Sequence, residues 1–161
     1  VAESKDQNGP MECEDLVVDT GAGASVAHQR HFPGIPVEPS PGSRAGQTFS
    51  GATQNGPKMI NRGQMTSSLL LENGVMGKFR FQETDSRRAL LSMSDVNRAG
   101  NPGWFDGDQS YIIPKTSPVL QQIRDLIETV QHKIPLHQEG GIFKMKVWRK
   151  KPEQTFARQG R

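Results

Sequence analysis

The chain has a single cysteine, Cys13, which excludes an internal disulfide and fits a reducing compartment. It has no apolar run approaching the ~20 residues a membrane helix needs, and its N-terminus lacks the pattern of a signal peptide. Charge of one sign is scarce as well: the net charge is +3, less than a nucleic-acid-binding domain usually concentrates. Much of the excess falls on Lys144, Lys146, Arg149, Lys150, Lys151, Arg158 and Arg161, which reads as a solvated basic tail and leaves nucleic acid only that tail to bind. Internal repeats and low-complexity segments are absent. No Gly-x-Ser-x-Gly elbow or partnered Ser, His and Asp pattern marks a serine hydrolase, and the glycines at 21 and 23 do not lead into a helix as a nucleotide-binding loop would. Cys13, His28 and His31 lack a fourth ligand at zinc spacing, so no metal and no cofactor is expected. These absences point to an intracellular, cytoplasmic protein with no membrane partner, and a chain that opens on Val reads as part of a longer polyprotein.

What is present favours strands and turns. Hydrophobic residues make up 33% of the chain, beside 17 glycines and 11 prolines, a composition better suited to short strands than to a helical bundle. At 161 residues the chain allows one domain, well short of the ~300 residues of a two-lobed enzyme. The expected organisation is a polar segment over 1–13, a domain over 14–149 and the basic tail over 150–161, the ends lacking the apolar content to order.

Local signals fill in the domain. Asp15 to Val18 reads as a strand and Ala24 to Ala27 as a second; Pro33, Pro36, Pro39 and Pro41 make 31–44 a surface loop. Gln54-Asn55-Gly56-Pro57 between extended runs at 47–53 and 58–68 signals a hairpin, as does Asn73-Gly74 between 67–72 and 77–82. In the second, Phe79 and Phe81 alternate with charged and polar residues, one face in and one face out. Ala89 to Met93 is an apolar run followed by a helical turn that Gly100 stops, and Asp106-Gly107-Asp108 joins a further hairpin. Leu120, Ile123, Leu126, Ile127 and Val130 predict a helix over 118–133, with Ser117 as N-cap and Pro118 at its first position. A last strand is expected over 142–148.

One segment carries chemistry. Leu16-Val17-Val18-Asp19-Thr20-Gly21-Ala22 puts a carboxylate at the end of an apolar strand, then a hydroxyl and a glycine that lets the backbone turn tightly. Taken alone, the triplet is equally a strand-to-loop turn in which Asp19 caps its own backbone. As an active site it supplies one carboxylate where peptide hydrolysis by paired acids needs two, one ionised and one protonated.

Val17 to Val26 resembles the active-site segment of retroviral-type, retropepsin-like aspartic proteases, and Ala89-Leu90-Leu91-Ser92-Met93-Ser94 is similar to the Leu-Leu-Ser run of copia-type retrotransposon proteases. The hairpin around Asn55-Gly56 falls between them, where that family carries its flap, and the likeness extends over Leu16 to Trp148. The chain departs from the retroviral pattern at Gly23 and Ala24, where acidic residues are usual, and at Ser92, where glycine is. The resemblance implies an all-β, mainly antiparallel acid-protease fold, with the late helix as an elaboration. It further implies a homodimer that cuts an extended peptide of a polyprotein. Asp19, Thr20 and Gly21 would then be catalytic, and Ala22, Gly23, Thr53, Gln54, Asn55 and Gly56 would hold the substrate. Two Asp19 carboxylates face to face cannot both ionise, so they share one proton and activate a water between them. The other expectation, from a different class, is a catalytically inactive β domain of the same fold that serves binding or assembly.

Overall fold

The structure, a computed structural model, describes residues 15–51 and 55–152. These residues build a mostly β protein with few helices. The chain enters on β1 (Val17–Asp19), turns into β2 (Val26–Ala27), and passes a 3-10 turn at Gln29–His31 before the one-turn helix α1 (Pro41–Arg44). A short hairpin of β3 (Thr48–Phe49) and β4 (Met59–Ile60) precedes a long one of β5 (Gly63–Leu70) and β6 (Met76–Glu83). Then β7 (Leu90–Ser92) runs directly into α2 (Met93–Arg98), followed by the pair β8 (Gly103–Trp104) and β9 (Tyr111–Ile112), helix α3 (Leu120–Glu128), and the pair β10 (His137–Glu139) and β11 (Ile142–Lys144).

Five strands form the main sheet in the order β1-β7-β2-β6-β5. Strand β7 lies parallel to β1, with Leu90 opposite Val17 and Ser92 opposite Asp19, and antiparallel to β2, with Leu90 opposite Val26. A strand from much later in the chain is thus wedged between two that are nearly consecutive. The loop from Asp19 to Ser25 must therefore arch over the end of β7, where Ser92 sits.

The core lies against this sheet. Along β5 the alternation puts Gly63, Met65 and Ser67 inside and Thr66 and Ser68 outside, and on β6 it buries Phe81 and Glu83. Phe81 and Met65 are fully buried with Ala27, and the Phe81 ring stacks on Phe32 at a centroid separation of 4.9 Å. Burying each of the two large side chains contributes about 1.5–3 kcal/mol. A second cluster of Leu91, Met93 and Val96 shares Leu16 and Phe79 with the first and receives Phe143 from β11. Between β4 and β5 the chain bends at Asn61-Arg62, because Gly63 takes φ +145° and passes so close to Glu38 that a Cβ would lie 2.4 Å from its carbonyl oxygen.

Several expectations need correction. The proline-rich stretch contains α1: Pro41 occupies its first turn, where a missing N–H is harmless, and Ser40 caps it by accepting from Ser43 N. The late helix is shorter than 118–133. Ser117 does not cap it but closes a turn, its carbonyl accepting from Leu120 N at 3.2 Å, and the far end tightens where Thr129 Oγ1 donates to Leu126 O at 2.7 Å. Only Leu120 of its apolar residues is buried, while Leu126, Ile127 and Val130 stay exposed. The last strand ends at Lys144 and not at 148, since its partner is the unforeseen β10 and pairing stops with His137 opposite Lys144.

Candidate active site

Asp19 stands at the last position of β1, half-buried, with Thr20 and Gly21 exposed behind it. Its Oδ1 accepts from Gly21 N at 2.7 Å, the local turn that an Asp-x-Gly sequence favours. Among the described residues no cation pairs with this carboxylate.

Beyond Gly21 the loop is tied down. Ser92 Oγ donates to Ala22 O at 2.6 Å, and Ser92 N donates to Ser25 Oγ at 2.9 Å. Ser25 in turn donates through both its N and its Oγ to Asp95 Oδ2, each at 2.8 Å. Arg98 completes the set by donating to Asp95 Oδ1 at 3.0 Å. Ser25 and Ser92 are buried, so the bond between Ser92 N and Ser25 Oγ forms where solvent cannot replace it, while the Arg98 contact with Asp95 lies at the surface. Ser92 also caps α2, accepting from Asp95 N at 3.3 Å. One side chain thereby joins the strand beside Asp19, the loop after it and the helix behind it.

The pair β10 and β11 buttresses the same loop. A Cβ on Gly141 would lie 2.6 Å from Gly23 Cα, and one on Gly23 would lie 3.0 Å from Gly140 O. Ser94 Oγ donates to Gly141 O, and Phe143 packs on the cluster beneath. Both glycines at this turn have positive φ, +58° at Gly140 and +79° at Gly141, a region that glycine enters at little cost.

The expected site residues divide. Asp19, Thr20, Gly21, Ala22 and Gly23 lie on one continuous loop at the end of the sheet. Asn55 and Gly56 belong to the connection between β3 and β4, a hairpin where the sequence signal put one, with Thr48 opposite Ile60. Thr53 and Gln54 lie outside the described residues, as do Cys13 and the segments 1–14 and 153–161. His28 and His31 spend their Nδ1 atoms on the 3-10 turn, accepting from Arg30 N and His28 N at 3.0 Å. Among the described residues no group of three or more His, Cys, Asp or Glu side chains could hold a metal ion.

Sequence reasoning passed over Ser25, Asp95, Arg98 and Gly141. A signal existed for one of them, Asp95: Ser92-x-x-Asp95 ahead of a helical turn is the spacing of an N-terminal cap. At the opposite end of the same sheet, Arg62 Nε and Nη2 grip Glu83 at 2.7 and 3.0 Å, and Nη2 reaches Asp85 at 3.2 Å. The guanidinium holds the buried Glu83 carboxyl below the usual range against the opposing effect of burial, and it lowers exposed Asp85 likewise.

Comparison with protein-family models, with curated proteins and with solved structures finds no match to this chain. Among the described residues no helix is long and apolar enough to cross a membrane.

Proposed function

We propose that the chain is an aspartic endopeptidase of the retroviral or retrotransposon type, active as a homodimer on a polyprotein. The observation that carries this reading is the placement of Asp19: a carboxylate with no cation partner among the described residues, at the end of strand β1, beside Ser92 on β7, on a loop braced by the Ser92, Ser25 and Asp95 bonds. A strand end braced in this way fixes a carboxylate while leaving its oxygens accessible. On this reading the Asp19 side chains of two copies meet and hold a water between them. The ionised one takes a proton from the water as its oxygen attacks the scissile carbonyl carbon; the protonated one gives its proton to the carbonyl oxygen. A neutral diol results with no covalent link to the enzyme. Collapse of the diol with proton transfer to the amide nitrogen then releases both peptides. The connection between β3 and β4 would close over the substrate, and the function would lie inside the cell.

The second reading, an inactive β module for binding or assembly, draws on the Gly21 hydrogen bond, which gives Asp19 a purely local task. Peptidase activity on a peptide library, blocked by a pepstatin-like diol mimic and lost in Asp19→Asn with the circular dichroism unchanged, is the outcome expected of the first. Equal turnover by Asp19→Asn, or activity that belongs to a strictly monomeric chain, would defeat it.

A further inference from the structure

Two adjoining hollows open between the β4 end of the short hairpin and the 85–90 segment that leads into β7. Their volumes are about 440 and 430 Å³, and they share Met59, Asp85 and Arg87; the first reaches Lys58, the second Arg88 and Leu90. Leu90 is two residues from Ser92, the neighbour of Asp19, so the combined groove ends about 7 Å along the strand from the Asp19 row.

The wall that carries the arginines is built rather than loose. Arg30 Nη2 donates to Ser86 O at 2.8 Å, His31 Nε2 contacts Arg87 O at 3.2 Å, and Ser86 Oγ donates to Arg88 O. Asp85, the one acid of the groove, is taken by Arg62. These contacts fix the backbone yet leave the charged ends of Arg87 and Arg88 unspent: neither they nor Lys58 pairs with a carboxylate among the described residues. Three cations with no carboxylate partner among the described residues therefore line a groove whose walls also present the apolar Met59 and Leu90.

We infer that this groove binds an extended peptide carrying an acidic side chain next to an apolar one, and that Arg87 and Arg88 select the acid. An extended chain projects successive side chains to opposite sides. A carboxylate can thus accept from a guanidinium fork in a two-point, charge-assisted contact, while its neighbour, projecting the other way, lies on Met59. A nucleic acid fits less well, because none of the lining residues is aromatic and the groove offers bases no ring as a stacking platform. The inference rests on the endopeptidase reading for the purpose of such binding, and it assigns that enzyme a preference for acidic cleavage sequences.

The test uses the full chain as Asp19→Asn, which permits binding without turnover. Fluorescein-labelled octapeptides of Ala, Val and Leu carrying two Glu, two Gln or two Lys are titrated by anisotropy at low salt. The Glu peptide is expected to bind at least tenfold more tightly than the others. Arg87→Ala/Arg88→Ala should abolish the difference, and Arg87→Glu/Arg88→Glu should turn it toward Lys; both side chains are exposed, and a thermal melt verifies that the variants fold. Equal affinity for Glu and Gln, a preference that survives charge reversal, or no binding of any peptide at 1 mM would overturn the inference. Tighter binding of a labelled oligothymidine through the same arginines would also overturn it, in favour of nucleic acid. Cleavage by the wild-type chain with no preference for Glu sinks the groove assignment and leaves the peptidase standing. A Glu preference in a chain that cleaves nothing does the reverse.

Discussion

Replacing Ser25 by alanine tests whether the loop after Asp19 is held in the way the hydrogen bonds imply. The hydroxyl does two things: it donates to Asp95 and it accepts the backbone N–H of Ser92. Ser25 and Ser92 expose 2% and 0% of their surface, so water cannot reach the orphaned N–H without opening the structure. An unsatisfied buried donor costs about 1–3 kcal/mol, and a hydrogen bond to a charged group contributes about 1.5–3 kcal/mol. Asp95 keeps two partners, Ser25 N and Arg98, so the second contribution falls at its lower end. The expected loss is about 2–4 kcal/mol, read as a lower urea midpoint at unchanged slope. The Ser92 amide should also exchange with solvent faster by more than the global destabilisation explains. Asp95→Asn, which keeps the shape and one acceptor, should cost less, about 1 kcal/mol. A shift under ~0.5 kcal/mol for Ser25→Ala, with Ser92 exchange unchanged, would refute the claim that this serine braces the loop.

Acid should weaken the far end of the sheet. Because the folded-state pKa of Glu83 is lowered by Arg62, its stabilisation is fully present above the unfolded value near pH 4.5 and is lost as pH falls through the folded value. Glu83→Gln should therefore be about 1–2 kcal/mol less stable than wild type at pH 7, a figure held down by the partial exposure of Arg62. The gap should close toward pH 3 in denaturation series, and a pH-independent gap would remove the charge from the explanation. At the β10–β11 turn, Gly140→Ala should cost only the ~1–2 kcal/mol of its positive φ, since nothing lies within 4 Å of its Cβ position. Gly141→Ala adds a collision with Gly23 and should cost more and raise amide exchange across 20–25; equal losses in the two variants would show that the turn does not press on the Asp19 loop.

The strands that pair locally were legible, and the bonds that join distant segments were not. Asn73-Gly74 announces β5 and β6 because the turn chemistry and the Phe79/Phe81 alternation lie within one short window, and Gly74 does take φ +80°. The wedging of β7 between β1 and β2 has no local signature, since Leu90-Leu91-Ser92 looks the same beside any partner. The late helix is shorter than its apolar spacing predicts for a related reason. Its apolar spacing is real, but spacing cannot tell that Ser117 and Pro118 close a turn first or that Leu126 and Ile127 remain exposed. The site was half visible: Asp19-Thr20-Gly21 stands out, whereas Asp95, which braces the loop, is 70 residues from the Ser25 it holds.

That division bears on how Asp19 can work. Every long-range side-chain bond to its loop among the described residues arrives at Ala22 or later, through Ala22 O, Ser25 N and Ser25 Oγ. Beyond the pairing of Asp19 with Ser92 in the β1–β7 ladder, the part from Asp19 to Gly21 has only its own turn, in which Oδ1 accepts from Gly21 N while Oδ2 takes no bond among the described residues. The loop is thus stiff on the side that faces the sheet and open on the side that faces away. A two-fold axis through the open side would bring the same patch of each chain together, with exposed Thr20 and Gly21 at the contact and β1 at the edge behind them. On the proposed reading, the bracing from Ser92 and Asp95 sets the height of Asp19 within each chain, and the partner's loop sets the spacing between the two carboxylates. Loosening the brace should then lower turnover through misplacement of the acids even at a temperature where Ser25→Ala remains fully folded. A second copy could not restore that position, because no bond of the brace crosses to it.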